Sequence, residues 1–332
     1  MHNSKPKVGI SCGDPNGIGL EIILKSLKDP FTLDLVTPVI YCDFNIISSM
    51  NDFFKTNIEL ELLAKNQSPK PNKINVFHID AQGFKIEFGK TTKKAGSIAF
   101  KSLKHTVDAL KSGNVDFIVT APINKKNIQS NEFNFPGHTD YLSSNFNGES
   151  LMFMITDKLK VGLLTDHIPL SEVTEKLTFD RILDKISCMH HSLKNDFCIP
   201  DPKIALLSIN PHCGDDGVIG DDDQKILIPT VKKLLDLGFS VSGPFSADSF
   251  FGSGSFNHYH ATMAVYHDQG LIPFKTISFG EGVNYTAGLN IIRTSPDHGT
   301  AYNIAGNNTA DHRSFSKSIH CALQIFKNRN KK

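Results

Sequence analysis

The chain has 332 residues, 39% of them hydrophobic, enough for a substantial core in two domains or one large α/β unit. Lys and Arg number 35 against 34 Asp and Glu, and a net charge of +1 supplies no global field for nucleic acid or an anionic membrane. No apolar run approaches the ~18 residues that span a bilayer and the first residues lack a secretory signal's apolar stretch, so a cytoplasmic location is expected. From the amino end, Val8 to Ser11 is an apolar run that enters Gly13-Asp-Pro-Asn-Gly-Ile-Gly19, and Leu20 to Leu27 leaves with helical spacing. This is strand, tight turn, helix. It is not the dinucleotide fingerprint, because the close glycine pair comes last and Pro15 stands where a free N–H is wanted. A ligand-free α/β turn is the equal alternative.

Further short apolar runs read as buried strands: Thr37 to Cys42, Ile74 to His78, Phe117 to Thr120, Leu151 to Ile155, Val161 to Thr165, Ile204 to Ser208 and Ala261 to Tyr266. Amphipathic stretches at Gly96 to Leu110, Phe179 to Leu193 and Asp223 to Leu237 alternate with them, which is an α/β pattern. Asn66 to Lys73 is polar and carries prolines, and reads as a surface loop; the basic end, Lys327 to Lys332, reads as a solvated tail. Six scattered cysteines without a Cys-x-x-Cys pair indicate reduced thiols and neither a disulfide framework nor a thiolate zinc site.

Three of the fourteen histidines close apolar runs in the same manner: His167 after Val161 to Thr165, His212 after Ile204 to Ser208, and His267 after Ala261 to Tyr266. Ligands of α/β sheets bind outside the carboxyl ends of the strands, so these imidazoles could converge on a divalent metal with an open position. Asp166, Asn210 and Asp268 stand beside them as partners for the second ring nitrogen. The alternative is three polar strand-end residues, each satisfied by a neighbouring carbonyl. His190, His191, His258 and His260 read as surface histidines. In Phe135-Pro-Gly-His-Thr-Asp-Tyr141 a Pro-Gly turn can aim His138 and Thr139 at a ligand, or Thr139 or Asp140 can cap the next helix. Lys275, Asn284 and Arg293 supply two cations and an amide, the equipment for phosphate and carboxylate recognition; a solvated charged face is the alternative.

Seven motifs, in order, resemble the family of 4-hydroxythreonine-4-phosphate dehydrogenases: residues 13–19, Ala-Pro-Ile-Asn-Lys at 121–125, Pro-Gly-His-Thr at 136–139, Thr-Asp-His-Ile-Pro-Leu at 165–170, Asn-Pro-His at 210–212, Tyr-His-Asp-Gln-Gly at 266–270 and Arg-Thr-Ser-Pro-Asp-His-Gly-Thr-Ala at 293–301. The resemblance implies two α/β/α domains flanking a cleft, like isocitrate and isopropylmalate dehydrogenases. By the same analogy, residues 1–130 with 265–332 form the first domain and 131–264 the second. It implies a homodimer whose subunits share a metal held by His167, His212 and His267, zinc first, with cobalt or magnesium as alternatives. Substrate contacts fall on His138, Thr139, Lys275, Asn284 and Arg293. NAD or NADP is held by the loop starting at Asp297, with His298, Gly299, Thr300 and Ala301 as its contacts. Relatives continue this loop Ala-Gly-x-Gly, whereas here the last position is Asn308; Asn16 replaces a usual small residue and Cys213 a usual alanine.

The implied reaction is metal-dependent, NAD(P)-linked oxidation of 4-phosphohydroxy-L-threonine to 2-amino-3-oxo-4-phosphonooxybutanoate. That product decarboxylates to 3-amino-2-oxopropyl phosphate in pyridoxal 5'-phosphate biosynthesis. Asp248 and Asp268 are the candidate proton acceptors. Competing readings are a paralogous dehydrogenase of 4-phospho-threonate or 4-phospho-erythronate, an acyl-phosphate transferase, and a metal-held structural or regulatory dimer.

Overall fold

The computed structural model describes residues 5–64 and 67–331. The stretch read for a secretory signal therefore begins outside the described residues, as do Asn66 of the polar loop and Lys332 of the basic end; residues 67–73 are irregular and largely exposed. The strands are β1 Lys7–Ser11, β2 Thr37–Cys42, β3 Leu60–Leu62, β4 Ile74–His78, β5 Phe117–Thr120, β6 Leu151–Ile155, β7 Lys160–Leu163, β8 Ile204–Leu207, β9 Val241–Phe245, β10 Ala261–Ala264, β11 Val283–Ala287 and β12 Arg293–Pro296. They fall into two compact units, one comprising the chain up to Tyr141 with Ile291–Lys327, the other Leu142–Asn290 with the segment from Asn328. The divisions thus lie after Tyr141 and Asn290, not at 130 and 264 as expected. The reason is pairing: β10 bonds to β7 and β8 and β11 to β6, so the segment carrying His267, Lys275 and Asn284 stays with the second unit.

The first unit's sheet is wholly parallel in the order β3-β4-β2-β1-β5-β12. All six residues of β2, Thr-Pro-Val-Ile-Tyr-Cys, are buried, as a strand covered on both faces requires. A Cβ added to Gly9 of β1 would meet Thr106 of the helix Lys93–Lys111 and Ile118 of β5, whereas the adjacent Phe117 packs its ring 5.7 Å from Phe326 of the helix Arg313–Arg329. Neighbouring strand residues face opposite ways, so these helices cover opposite faces. In the second unit, β11-β6-β7 run antiparallel and β7-β10-β8-β9 parallel. A Cβ on Gly162 would strike Met189 of the helix Phe179–Asn195, and one on Gly270 would strike Val161 and Leu163 from the helix His267–Ser278. Both units are therefore α/β/α, and Val161, Leu163, Ala264, Leu271 and Phe274 lie in the second core. No helix among the described residues is long and apolar enough to cross a membrane.

Three expectations need correction. Asp223 to Leu237 is not one regular helix: Asp223–Leu227 is a π turn that passes into an α-helix at Ile228–Asp236, where Pro229 lacks the N–H a continuous ladder needs. His190 is half-buried and meets the Phe239 ring edge-on at 5.3 Å, so it is not a surface histidine. The basic end is not simply solvated, because the last helix continues to Arg329 and is tied to Asp196. The carboxylate of Asp196 accepts from Arg329 Nε at 2.7 Å, Tyr285 OH at 2.6 Å and Ser192 Oγ at 2.7 Å, and its carbonyl accepts from Asn328. Asp196→Ala leaves Arg329 uncompensated but partly solvated, and is expected to destabilise the protein by about 2–3 kcal/mol. An unchanged urea midpoint would contradict this reading of the tail.

Candidate functional site

The three strand-end histidines follow β7, β8 and β10, which are neighbours in one parallel stretch of sheet in the order β7-β10-β8. Parallel strands point their carboxyl ends the same way, so all three imidazoles are carried to one edge of the second unit. His167 and His267 come together there with ring centroids 5.8 Å apart. His267 Nδ1 lies 2.7 Å from Asp268 Oδ1, and Asp166 accepts from the His167 backbone N–H at 2.9 Å. Thr165, Asp166, His167, Tyr266, His267 and Asp268 border a cavity of about 360 Å³.

His212 does not complete a three-ligand cluster. It sits in a left-handed turn after β8 with φ +52°, and among the described residues no group of three or more His, Cys, Asp or Glu side chains is close enough to hold a metal ion. The expected convergence within a single chain is thus only partly built. The donor set nevertheless fits a divalent metal in kind: imidazoles at adjacent strand ends, one with its second nitrogen already held by a carboxylate.

The two candidate bases have different surroundings. Asp248 borders a second, more apolar cavity of about 520 Å³, which it shares with Asp268, Tyr266 and Ile272. The Ser246 hydroxyl, donating at 2.6 Å, and the Ser249 backbone N–H hold the Asp248 carboxyl below the ordinary carboxylate range. That makes Asp248 a weaker proton acceptor than an unassisted aspartate. Asp268 already spends one oxygen on His267.

The expected substrate residues are divided between the units. His138, Thr139 and Arg293 lie in the first, Lys275 and Asn284 in the second. Arg293 opens β12, is 2% exposed, and donates from Nε and Nη2 to Thr120 Oγ1 at 3.0 and 2.7 Å. Burial pushes its guanidinium down to about 9, so it remains cationic at neutral pH. His138 begins the helix His138–Asn145; the residue is partly exposed, but its Nε2 is enclosed and has no hydrogen-bond partner among the described residues. Burial, Arg293 and Lys125 together push the imidazole well below its usual 6.5. An enclosed nitrogen facing two cations is suited to an anionic ligand. Lys125 lies 13 residues before His138, and nothing in the sequence reveals that it faces the imidazole. Lys275 is exposed and Phe274 beside it buried, so of the two cations only Arg293 is withdrawn from solvent. Asn284, on β11, has a buried Oδ1 without a partner among the described residues.

The unfolded His138 imidazole takes up a proton near pH 6.5 and the folded one only at lower pH, so this group costs stability as pH falls below 6.5. His138→Gln is expected to flatten stability against pH between about pH 5 and 6.5, by at most one proton's worth of slope. Denaturation midpoints of equal slope in both proteins would contradict it.

The residues expected to hold a dinucleotide lie after β12. His298 Nδ1 is 3.1 Å from the Gly299 carbonyl, and its Nε2 is buried without a partner among the described residues. A Cβ on Gly299 would meet nothing, and Ala301 takes φ +42°. Asn308, at the position where the resemblance implies glycine, takes a left-handed conformation at φ +59°, which asparagine tolerates better than most residues.

The profile of the family described as pyridoxal phosphate biosynthetic protein PdxA matches residues 34–322. The chain belongs to the PdxA family. One PdxA relative, the 4-hydroxythreonine-4-phosphate dehydrogenase of Bacteroides thetaiotaomicron, is 41% identical over 333 residues, covering 100% of this chain and 92% of the relative. A Clostridium botulinum protein provisionally named D-threonate 4-phosphate dehydrogenase is 34% identical, with 98% of each covered. The crystal structure of the Klebsiella pneumoniae 4-hydroxythreonine-4-phosphate dehydrogenase matches with a TM-score of 0.82 at 34% identity, over 98% of each chain. This member of the PdxA family is an oxidoreductase, and dehydrogenation implies a nicotinamide cofactor.

Proposed function

We propose that the chain oxidises the 3-hydroxyl of 4-phosphohydroxy-L-threonine with NAD or NADP and a divalent metal, zinc first, within pyridoxal 5'-phosphate biosynthesis. The product is the β-keto acid 2-amino-3-oxo-4-phosphonooxybutanoate, which loses carbon dioxide to give 3-amino-2-oxopropyl phosphate. The observation that carries this reading is the His167 and His267 pair, with Asp268 on His267, in a chain 41% identical to a 4-hydroxythreonine-4-phosphate dehydrogenase.

His167, His212 and His267 would hold the metal, and His298 to Ala301 the dinucleotide. When bound, the metal supplies Lewis acidity to the substrate hydroxyl and the nicotinamide takes the hydride. The protein's own groups do the rest. Asp268 fixes the tautomer and direction of His267. Arg293 and His138, with Thr139, Lys275 and Asn284, take the phosphate and carboxylate. Asp248 or Asp268 receives the hydroxyl proton. The resemblance also supports a homodimer that shares the metal, and exposed apolar residues such as Ile272, which borders the same cavity as Asp248, suit burial against a second copy.

The 34% identity to the Clostridium botulinum protein favours one second reading, oxidation of D-threonate 4-phosphate. A panel of 4-phosphohydroxy-L-threonine, 4-phospho-threonate and 4-phospho-erythronate separates them. The first is expected to have the highest kcat/KM; preference for either sugar-acid phosphate would overturn the substrate assignment and leave the dehydrogenase reading standing.

A further inference from the structure

The Gly13 to Gly19 turn is not absorbed by the chemistry above, yet it is among the most buried parts of the chain. Asp14 is 0% exposed. Such a carboxylate is tolerated only when donors replace its water, and here three do: Asn16 N–H at 2.9 Å, Asn127 Nδ2 at 2.7 Å and Tyr302 OH at 2.7 Å. Tyr302 belongs to the loop that carries His298 to Ala301. Burial and the neighbouring Asp14 charge raise its phenol above the usual range, so it stays a donor at neutral pH.

Backbone contacts run the same way. Ile18 N–H donates to the Thr300 carbonyl at 3.0 Å, and a Cβ on Gly17 would stand 2.8 Å from that carbonyl oxygen. Farther along, the buried Glu21 accepts from Ala310 N–H at 2.8 Å, and Lys25 donates to the Asn308 carbonyl at 3.0 Å. The loop is thus gripped on both sides of Ala301, whose positive φ is one an alanine adopts only when its surroundings impose it.

We infer that the Gly13 to Gly19 turn is the seat of the dinucleotide loop, and that Asp14 and Tyr302 are positioning residues that set the loop's backbone before cofactor binds. This rests on reading His298 to Ala301 as the cofactor loop. Gly17 lacks a Cβ where Thr300 approaches, whereas Gly13 and Gly19 are held small by the Ala121–Pro122 backbone and the Cys12 carbonyl, so none of the three needs a phosphate to explain it. Asp14 and Tyr302 take no part in hydride or proton transfer; their effect is on cofactor affinity through preorganisation.

Tyr302→Phe deletes one hydroxyl and leaves the ring, and Asp14→Asn keeps the shape but sets an amide N–H₂ against Asn127 Nδ2. The direct readout is the dissociation constant of NADH and NADPH, by fluorescence titration of the full chain without substrate. Tyr302→Phe is expected to weaken binding about tenfold, the size of one hydrogen bond to a charged acceptor, and Asp14→Asn more than that. In turnover, the rise in dinucleotide KM is expected to exceed any fall in kcat, with the KM of the phosphorylated substrate unmoved. Wild-type dissociation constants retained by both variants would overturn the inference. So would a loss of kcat, both KM values and thermal stability in step, which marks a merely structural role. Failure of the wild-type chain to bind either dinucleotide would instead remove the cofactor-loop reading on which the inference stands.

Discussion

Replacing His267 by alanine is expected to lower kcat by about a thousandfold, because Lewis-acid stabilisation at the substrate hydroxyl contributes several kcal/mol. His167→Ala and His212→Ala should do the same if the three act on one group, and combining them should add little, since residues that act as a unit are grossly non-additive. Asp268→Asn tests a different link. It leaves the imidazole in place but weakens the partner 2.7 Å from Nδ1, so a fall of about 10- to 100-fold is expected, partly recovered by excess metal. A His267→Ala variant that kept its kcat and lost only KM would show that the histidines bind substrate and do not serve its oxidation.

The second large effect is expected at Arg293. Its guanidinium is 2% exposed and bonded to the Thr120 hydroxyl, so it stands in the first unit as a buried cation near an enclosed imidazole. A fold bears such desolvation for a reason other than stability, because an apolar residue of similar volume commonly packs as well or better. Arg293→Met is therefore expected to leave the denaturation midpoint unchanged or raised. Activity should move the opposite way: loss of a desolvated charged contact to phosphate or carboxylate costs about 2–4 kcal/mol, or about 30- to 1,000-fold in kcat/KM, mostly through KM. Arg293→Lys should recover only part of this, since an ammonium lacks the planar pair of donors. If Arg293→Met unfolded the protein, Arg293 would be a structural cation and the substrate role would fall.

Much of this architecture is legible in the residues. Strands such as Thr37–Cys42 and Phe117–Thr120 are buried on both faces and read as continuous apolar runs, so their limits coincide with the structure. β12 was missed for the opposite reason: its four residues, Arg-Thr-Ser-Pro, are polar or proline yet all buried, and no periodicity argument selects such a run. The last helix carries Phe315, Ile319, Ala322 and Leu323 at helical spacing, but its basic end reads locally as a solvated charge run, because the group that pins Arg329 is Asp196, far away in sequence. Domain limits were displaced because they depend on which strands bond, a non-local fact. At the site, the placement of His167, His212 and His267 on three successive parallel strand ends followed from apolar runs alone. That His212 turns through a left-handed conformation, and that His138 faces Lys125, had no signature in the sequence.

The most direct test of the central reading is NADH formation by the full chain with 4-phosphohydroxy-L-threonine and NAD, measured before chelator treatment, after it, and after zinc or cobalt is restored. Turnover that the chelator abolishes and the metal brings back is the predicted result. Turnover that continues undiminished in thoroughly chelated protein would contradict the metal role of the histidines, and no turnover in any metal, from folded protein, would contradict the proposed reaction itself.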